Sequence, residues 1–247
     1  MLRVGAFIFH TTAAAVMTWG WRSLNKLESH ELVRKQRGGH LLYLTTQGLA
    51  IAWICMILSM IRDLRVFKFG SEFKFILDYI NRVLLMIALP QTVSITVFYC
   101  LVTRFFPAAL SSEAPAKANT SSDPEARADS GEETPLLSPP SAHSTEVARI
   151  PVLTDLALRL APLLALLIDF FVFERRYTPG MVRIVAPIAI AVYGLGYIGL
   201  VELCARRNGV FPYPFLTKNR LGVRLLIYVA IARLVWDAFR LLNMMHV

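Results

Sequence analysis

Charge is scarce in this chain. Only 17% of its 247 residues are Asp, Glu, Lys or Arg, against about 25% in soluble domains. Four stretches, 4–21, 41–61, 83–103 and 184–201, hold none of the four. An ordinary soluble globule is excluded, because every element of such a fold shows a polar face to water. Apolar residues make up 55% of the chain and the mean hydropathy is +0.52. A helix of about 20 such residues crosses a hydrocarbon layer of about 30 Å. Two further stretches, 151–173 and 221–243, have spanning length but carry charges. The expected fold is therefore all-α, a polytopic transmembrane bundle of six spans in the endomembrane system or the plasma membrane. Segment 4–21 reads as the first span, since it exceeds the apolar core of a signal peptide and ends on Trp19, Trp21 and Arg22 instead of a small-residue cleavage site.

Cysteine and histidine are also few. Cys55, Cys100 and Cys204 share no metal spacing, and the five histidines form no H-x-x-H or H-E-x-x-H pattern. There is no G-x-S-x-G and no glycine-rich phosphate loop, so no metal and no cofactor is expected. The formal charge of +9 does not point to nucleic acid. Segment 108–150 carries seven acidic and three basic residues, which leaves 23 basic against 10 acidic elsewhere. Those cations, Arg22, Arg62, Arg82, Arg104, Arg175 and Arg206 among them, flank the apolar runs, where they meet lipid phosphates. Membrane lipids are the expected partners.

Segment 108–150 is rich in Ser, Pro, Ala and Glu and nearly free of bulky side chains. It cannot bury enough surface to offset its chain entropy, and is expected to be a disordered loop. It divides the chain into 1–107 and 151–247, with three spans each. No sequence repeat relates the halves, so an inverted-repeat transporter is not supported. The stretch 69–82 places Phe69, Phe73, Ile76, Leu77 and Ile80 on one helical face, which predicts an amphipathic segment lying in the membrane interface.

Polar groups at membrane depth are costly and are candidates for function. Tyr43-Leu44-Thr45-Thr46-Gln47 opens the second span; its hydroxyls either bond back to their own helix or serve a site. The fourth span holds Asp155, Arg159 and Asp169, and the sixth Arg233 and Asp237. Asp155 with Arg159, and Arg233 with Asp237, are four apart, which predicts ion pairs facing protein or a cavity; the alternative role for Arg159 or Arg233 is to bind a lipid carboxylate. His10 is the histidine at membrane depth, and His40 stands at the entrance of the second span.

Two motifs carry a resemblance. Gly38-Gly39-x-x-x-Tyr43-Leu44-Thr45 and Asn208-Gly209-x-Phe211-Pro212-Tyr213-Pro214-Phe215-Leu216 are similar to segments of the androgen-induced/FAR-17a-like family of six-span membrane proteins. The resemblance implies a threonine hydrolase of fatty acid esters of hydroxy fatty acids, with Thr45 as nucleophile. It also implies a histidine base shortly before a proline at the start of the fourth span. Here Pro162 is preceded by Asp155-Leu156-Ala157-Leu158-Arg159-Leu160-Ala161, which contains no histidine. His10 is then the candidate base for Thr45, with His40 as the other source. The alternative is a lipid- or partner-binding bundle without hydrolysis.

Overall fold

A computed structural model describes residues 2–26, 36–64, 71–105, 152–209, 211–213, 216, 217 and 219–246. The expectation of disorder in 108–150 lies outside the described residues. Residues 1–100 and 150–247 form one compact unit, and 101–149 a second, of which only the helical 101–105 are described. The larger unit is all-helical among the described residues.

Six long helices form where the apolar runs lie: α1 (Leu2–Lys26), α2 (Leu44–Asp63), α3 (Ser71–Phe105), α4 (Val152–Ile168), α5 (Ala186–Asn208) and α6 (Leu221–Met245). Segments Leu44–Asp63, Glu72–Leu101, Leu156–Phe173 and Met181–Asn208 are long and apolar enough to cross a membrane. In α1, His10, three threonines and two tryptophans dilute the hydropathy; in α6, Arg224, Arg233, Asp237 and Arg240 do so.

Packing is antiparallel between α1 and α2 and between α2 and α3. Trp53 Nε1 donates to Thr18 Oγ1 near mid-height of α1 and α2, and His10 meets Asp63 at one end. Asn81 Nδ2 donates to Ser59 at that end of α2 and α3, and Gln91 Nε2 to the Leu44 carbonyl toward the other. At the α1–α4 crossing Gly20 lies so near Ala157 that an added Cβ would stand 3.1 Å from the alanine Cβ. Small residues allow this backbone approach, as expected where close packing drives association. Met17, Leu49, Cys55, Met56, Leu85, Met86, Leu89, Leu166, Phe170 and Phe239 fill the space between. Pro90 is buried within α3, and two residues on the Thr92 hydroxyl donates to the Ala88 and Leu89 carbonyls, both at 2.9 Å.

Two features differ from expectation. The amphipathic stretch is helical from Ser71 but is not a separate element; it runs unbroken into α3, whose 35 residues extend about 52 Å. Asn81 and Arg82, at the end of that stretch, are held inside the fold, Asn81 on Ser59 and Arg82 on the Arg175 carbonyl and Glu174. Arg233 and Asp237 do pair, at 2.7 Å, yet both are exposed on the outer face of α6 beside Arg240 and Trp236. The buried face of α6 is narrow, Tyr228, Val235, Phe239 and Asn243, and Arg233 and Asp237 fall off it. The Asp155 side chain lies outside the described residues; its expected partner Arg159 stacks on the Tyr99 ring at 3.7 Å.

Beyond Ile168 the α4 helix widens into a π-turn over Asp169–Phe173, closed by the Glu174 N–H on the Asp169 carbonyl at 2.9 Å. A second π-turn, Met181–Val185, leads into α5. Such bulges are often retained at functional sites. This one brings Asp169 and Glu174, five apart in sequence, into the same buried region.

Candidate functional site

The two motif segments dock on each other and fix the start of α2. Asn208 accepts the Arg37 N–H at 3.0 Å and donates to the Arg37 carbonyl at 2.9 Å. The Tyr213 hydroxyl accepts the Leu44 N–H at 3.0 Å, satisfying a backbone donor that the first turn of a helix leaves open. Tyr197 donates to the Leu42 carbonyl at 3.1 Å, and the Tyr193 hydroxyl to Gln47 Oε1 at 2.7 Å. Burial pushes the Tyr213 phenol above its ordinary range, so it stays a neutral hydroxyl at physiological pH.

Gly38 makes this docking feasible. Its φ is +88°, and a Cβ there would stand 2.9 Å from the Leu42 side chain and 3.0 Å from Cys204 Sγ. Gly38→Ala is expected to cost about 1–3 kcal/mol, seen as a lower apparent Tm of the purified chain; an unchanged Tm would show that the 36–43 turn relaxes without loss. The same contact buries Cys204, which leaves it as a packing residue.

So anchored, Thr45 lines a shallow, open cleft with Thr92, Ile95, Thr96, Leu158, Arg159 and Pro162. Thr46, one position on, is buried and not part of the lining. Adjacent helix positions point about 100° apart. The Thr45 and Thr96 hydroxyls have no hydrogen-bond partner among the described residues. Arg159 lies on the same cleft, in the stretch before Pro162 where the resemblance calls for a base.

His10 is elsewhere. Its ring is fully buried, with Nδ1 2.8 Å from Asp63 Oδ2 and Nε2 3.0 Å from Asp169 Oδ1. Asp63 closes α2 and Thr45 opens it, so 18 helical residues, about 27 Å, separate the His10 site from the Thr45 cleft. The structure does not bring His10 and Thr45 together, and His40 is not in the cleft lining. Sequence reading singled out His10 and Asp169 separately but not their contact, nor the role of Asp63. It also missed Glu174, buried and bridged by Arg62 and by Arg82 at 3.6 Å. Their common signal, charge inside or at the end of an apolar run, was visible; which charges meet was not.

A many-helix bundle with apolar outer faces and polar sites near opposite ends of its helices belongs to the class of multi-pass membrane proteins. The model of FAR-17a/AIG1-like proteins matches residues 5–247, and the chain belongs to that family. A UPF0641 membrane protein of Schizosaccharomyces pombe is 22% identical over 99% of this chain and 91% of its own length. No solved structure matches.

Proposed function

We propose that this is a six-crossing lipid-binding protein whose Thr45 cleft receives the polar end of an acyl lipid, without Thr–His hydrolysis. The observation that carries the reading is the pairing of Thr45 with Arg159 in one cleft while His10 is committed to two carboxylates about 27 Å away. Threonine attacks an ester only when a base takes its proton, and a guanidinium stays protonated. What Arg159 offers is a fixed cation for a carboxylate or an ester oxygen. The positive end of the α2 dipole favours the same charge. The cleft is a shallow, open depression, not an enclosed ligand cavity, so the polar end of the lipid would meet Thr45 and Arg159 at its surface, with the acyl chain lying along the apolar flanks of Ile95, Leu158 and Pro162. The antiparallel pairing of α1 with α2 and of α2 with α3, and the contact of the end of α5 with the start of α6, support the six crossings.

The test uses the full chain in lipid nanodiscs. Arg159→Leu should weaken binding of a long-chain fatty acid about tenfold or more, the loss expected of a hydrogen bond to a charged group. Thr45→Ala should weaken it only several-fold. A fluorophosphonate probe should label wild type no more than Thr45→Ala; labelling that disappears in Thr45→Ala would replace this reading with a hydrolase.

A further inference from the structure

His10, Asp63 and Asp169 pose a problem of proton count. Both ring nitrogens lie within hydrogen-bond distance of a carboxylate oxygen, 2.8 Å on one side and 3.0 Å on the other. Ionised carboxylates only accept, and a neutral imidazole has one N–H. Satisfying both contacts therefore needs a second proton. We propose that the three residues form a proton-binding site that holds this extra proton, and whose loading clasps α1 to α2 and to the π-turn after α4.

The surroundings favour the loaded state. His10 and Asp169 are fully buried, and Asp169 Oδ2 has no hydrogen-bond partner among the described residues. The rings of Phe9 and Phe173 flank the imidazole, with centroids 5.3 and 5.2 Å away and planes steeply inclined to it, and give it apolar neighbours. From α2, Arg62 stands 4.0 Å from Asp169 Oδ1, and Cys55 contributes a neutral thiol to the adjoining core. Beyond Asp169, Glu174 is shared between Arg62 and Arg82, and the half-exposed Asp78 of α3 lies 3.9 Å from Arg62. With the proton, His10 and Arg62 balance Asp63 and Asp169, while Arg82 balances Glu174. Without it a buried net negative charge remains, and a ring lone pair faces a carboxylate. Asp63 has a side chain 11% exposed, against 0% for His10 and Asp169. The proton leaves Nδ1 through the Asp63 carboxylate to water, and returns the same way.

The sign follows. A site that needs a proton contributes most at low pH and loses its contribution as pH rises. Asp169→Asn removes the requirement, because the amide can donate to Nε2 while a neutral ring donates from Nδ1 to Asp63. In full-length protein in nanodiscs, the apparent Tm of wild type should fall by about 3 °C or more between pH 6 and pH 9, and that of Asp169→Asn should be nearly flat. Parallel curves would overturn the proposal. Asp63→Asn, which meets Nδ1 by the same logic, repeats the test if Asp169→Asn does not fold. Nitrogen NMR of the histidine-labelled wild-type chain needs no variant: at pH 8, where a free imidazole of pKa about 6.5 is neutral, one ring should still carry two protons, or infrared should show a protonated carboxyl. Finding neither rejects the site.

Discussion

Arg159→His should raise fluorophosphonate labelling of Thr45 about 10²–10⁴-fold, the usual contribution of a positioned general base. Thr45 already lines the cleft with its hydroxyl uncommitted among the described residues, on a helix start held by Tyr213, Gln91 and Tyr193. An imidazole at 159 puts a group that titrates near neutrality into that cleft, where the guanidinium cannot accept a proton. The double variant Thr45→Ala/Arg159→His should return to background, which ties the signal to the threonine. A folded Arg159→His chain with no labelling above wild type would show that more than the base is missing.

Glu174→Leu is expected to destabilise the bundle by about 3–5 kcal/mol, the cost of stranding buried charge by removing its partner. For a chain of this size that is a fall of about 6–20 °C in apparent Tm. The Glu174 carboxylate is 4% exposed and lies between the guanidiniums of Arg62 on α2 and Arg82 on α3, so its loss leaves two cations without their shared anion. Arg62 retains Asp78 and Asp169 at 3.9 and 4.0 Å, distances that compensate only in part. In Arg62→Met/Glu174→Leu the loss should be smaller than the sum of the singles, with a coupling of about 1 kcal/mol or more. Additive or silent single changes would show that water already screens the trio.

Much of the architecture was legible because hydropathy acts locally. Most of a run such as 41–61 forms a helix in a membrane, since unpaired backbone groups are untenable in hydrocarbon; here the helix begins at Leu44. Membership of the family was legible from 38–45 and 208–216 for a related reason: residues at a constrained turn, Gly38 at positive φ and Asn208 bridging to Arg37, leave short, specific signatures. The amphipathic pattern of 69–82 is visible in the sequence, but its continuation from Ser71 into one long helix is not, because the polar Asn81 and Arg82 at its end find their partners on other elements of the fold.

The sequence by itself determined the helical membrane class, the position of Thr45 at a helix start, and the absence of a histidine between Asp155 and Pro162. Only the tertiary structure decided which charges meet. His10 with Asp169 spans 159 positions and His10 with Asp63 spans 53. No periodicity within one helix encodes such contacts; they depend on antiparallel register, on the close approach at Gly20 and Ala157, and on a π-turn that brings Asp169 and Glu174 together. That register also separates His10 from Thr45 by the length of α2, turning a dyad plausible in composition into two sites near opposite ends of the bundle.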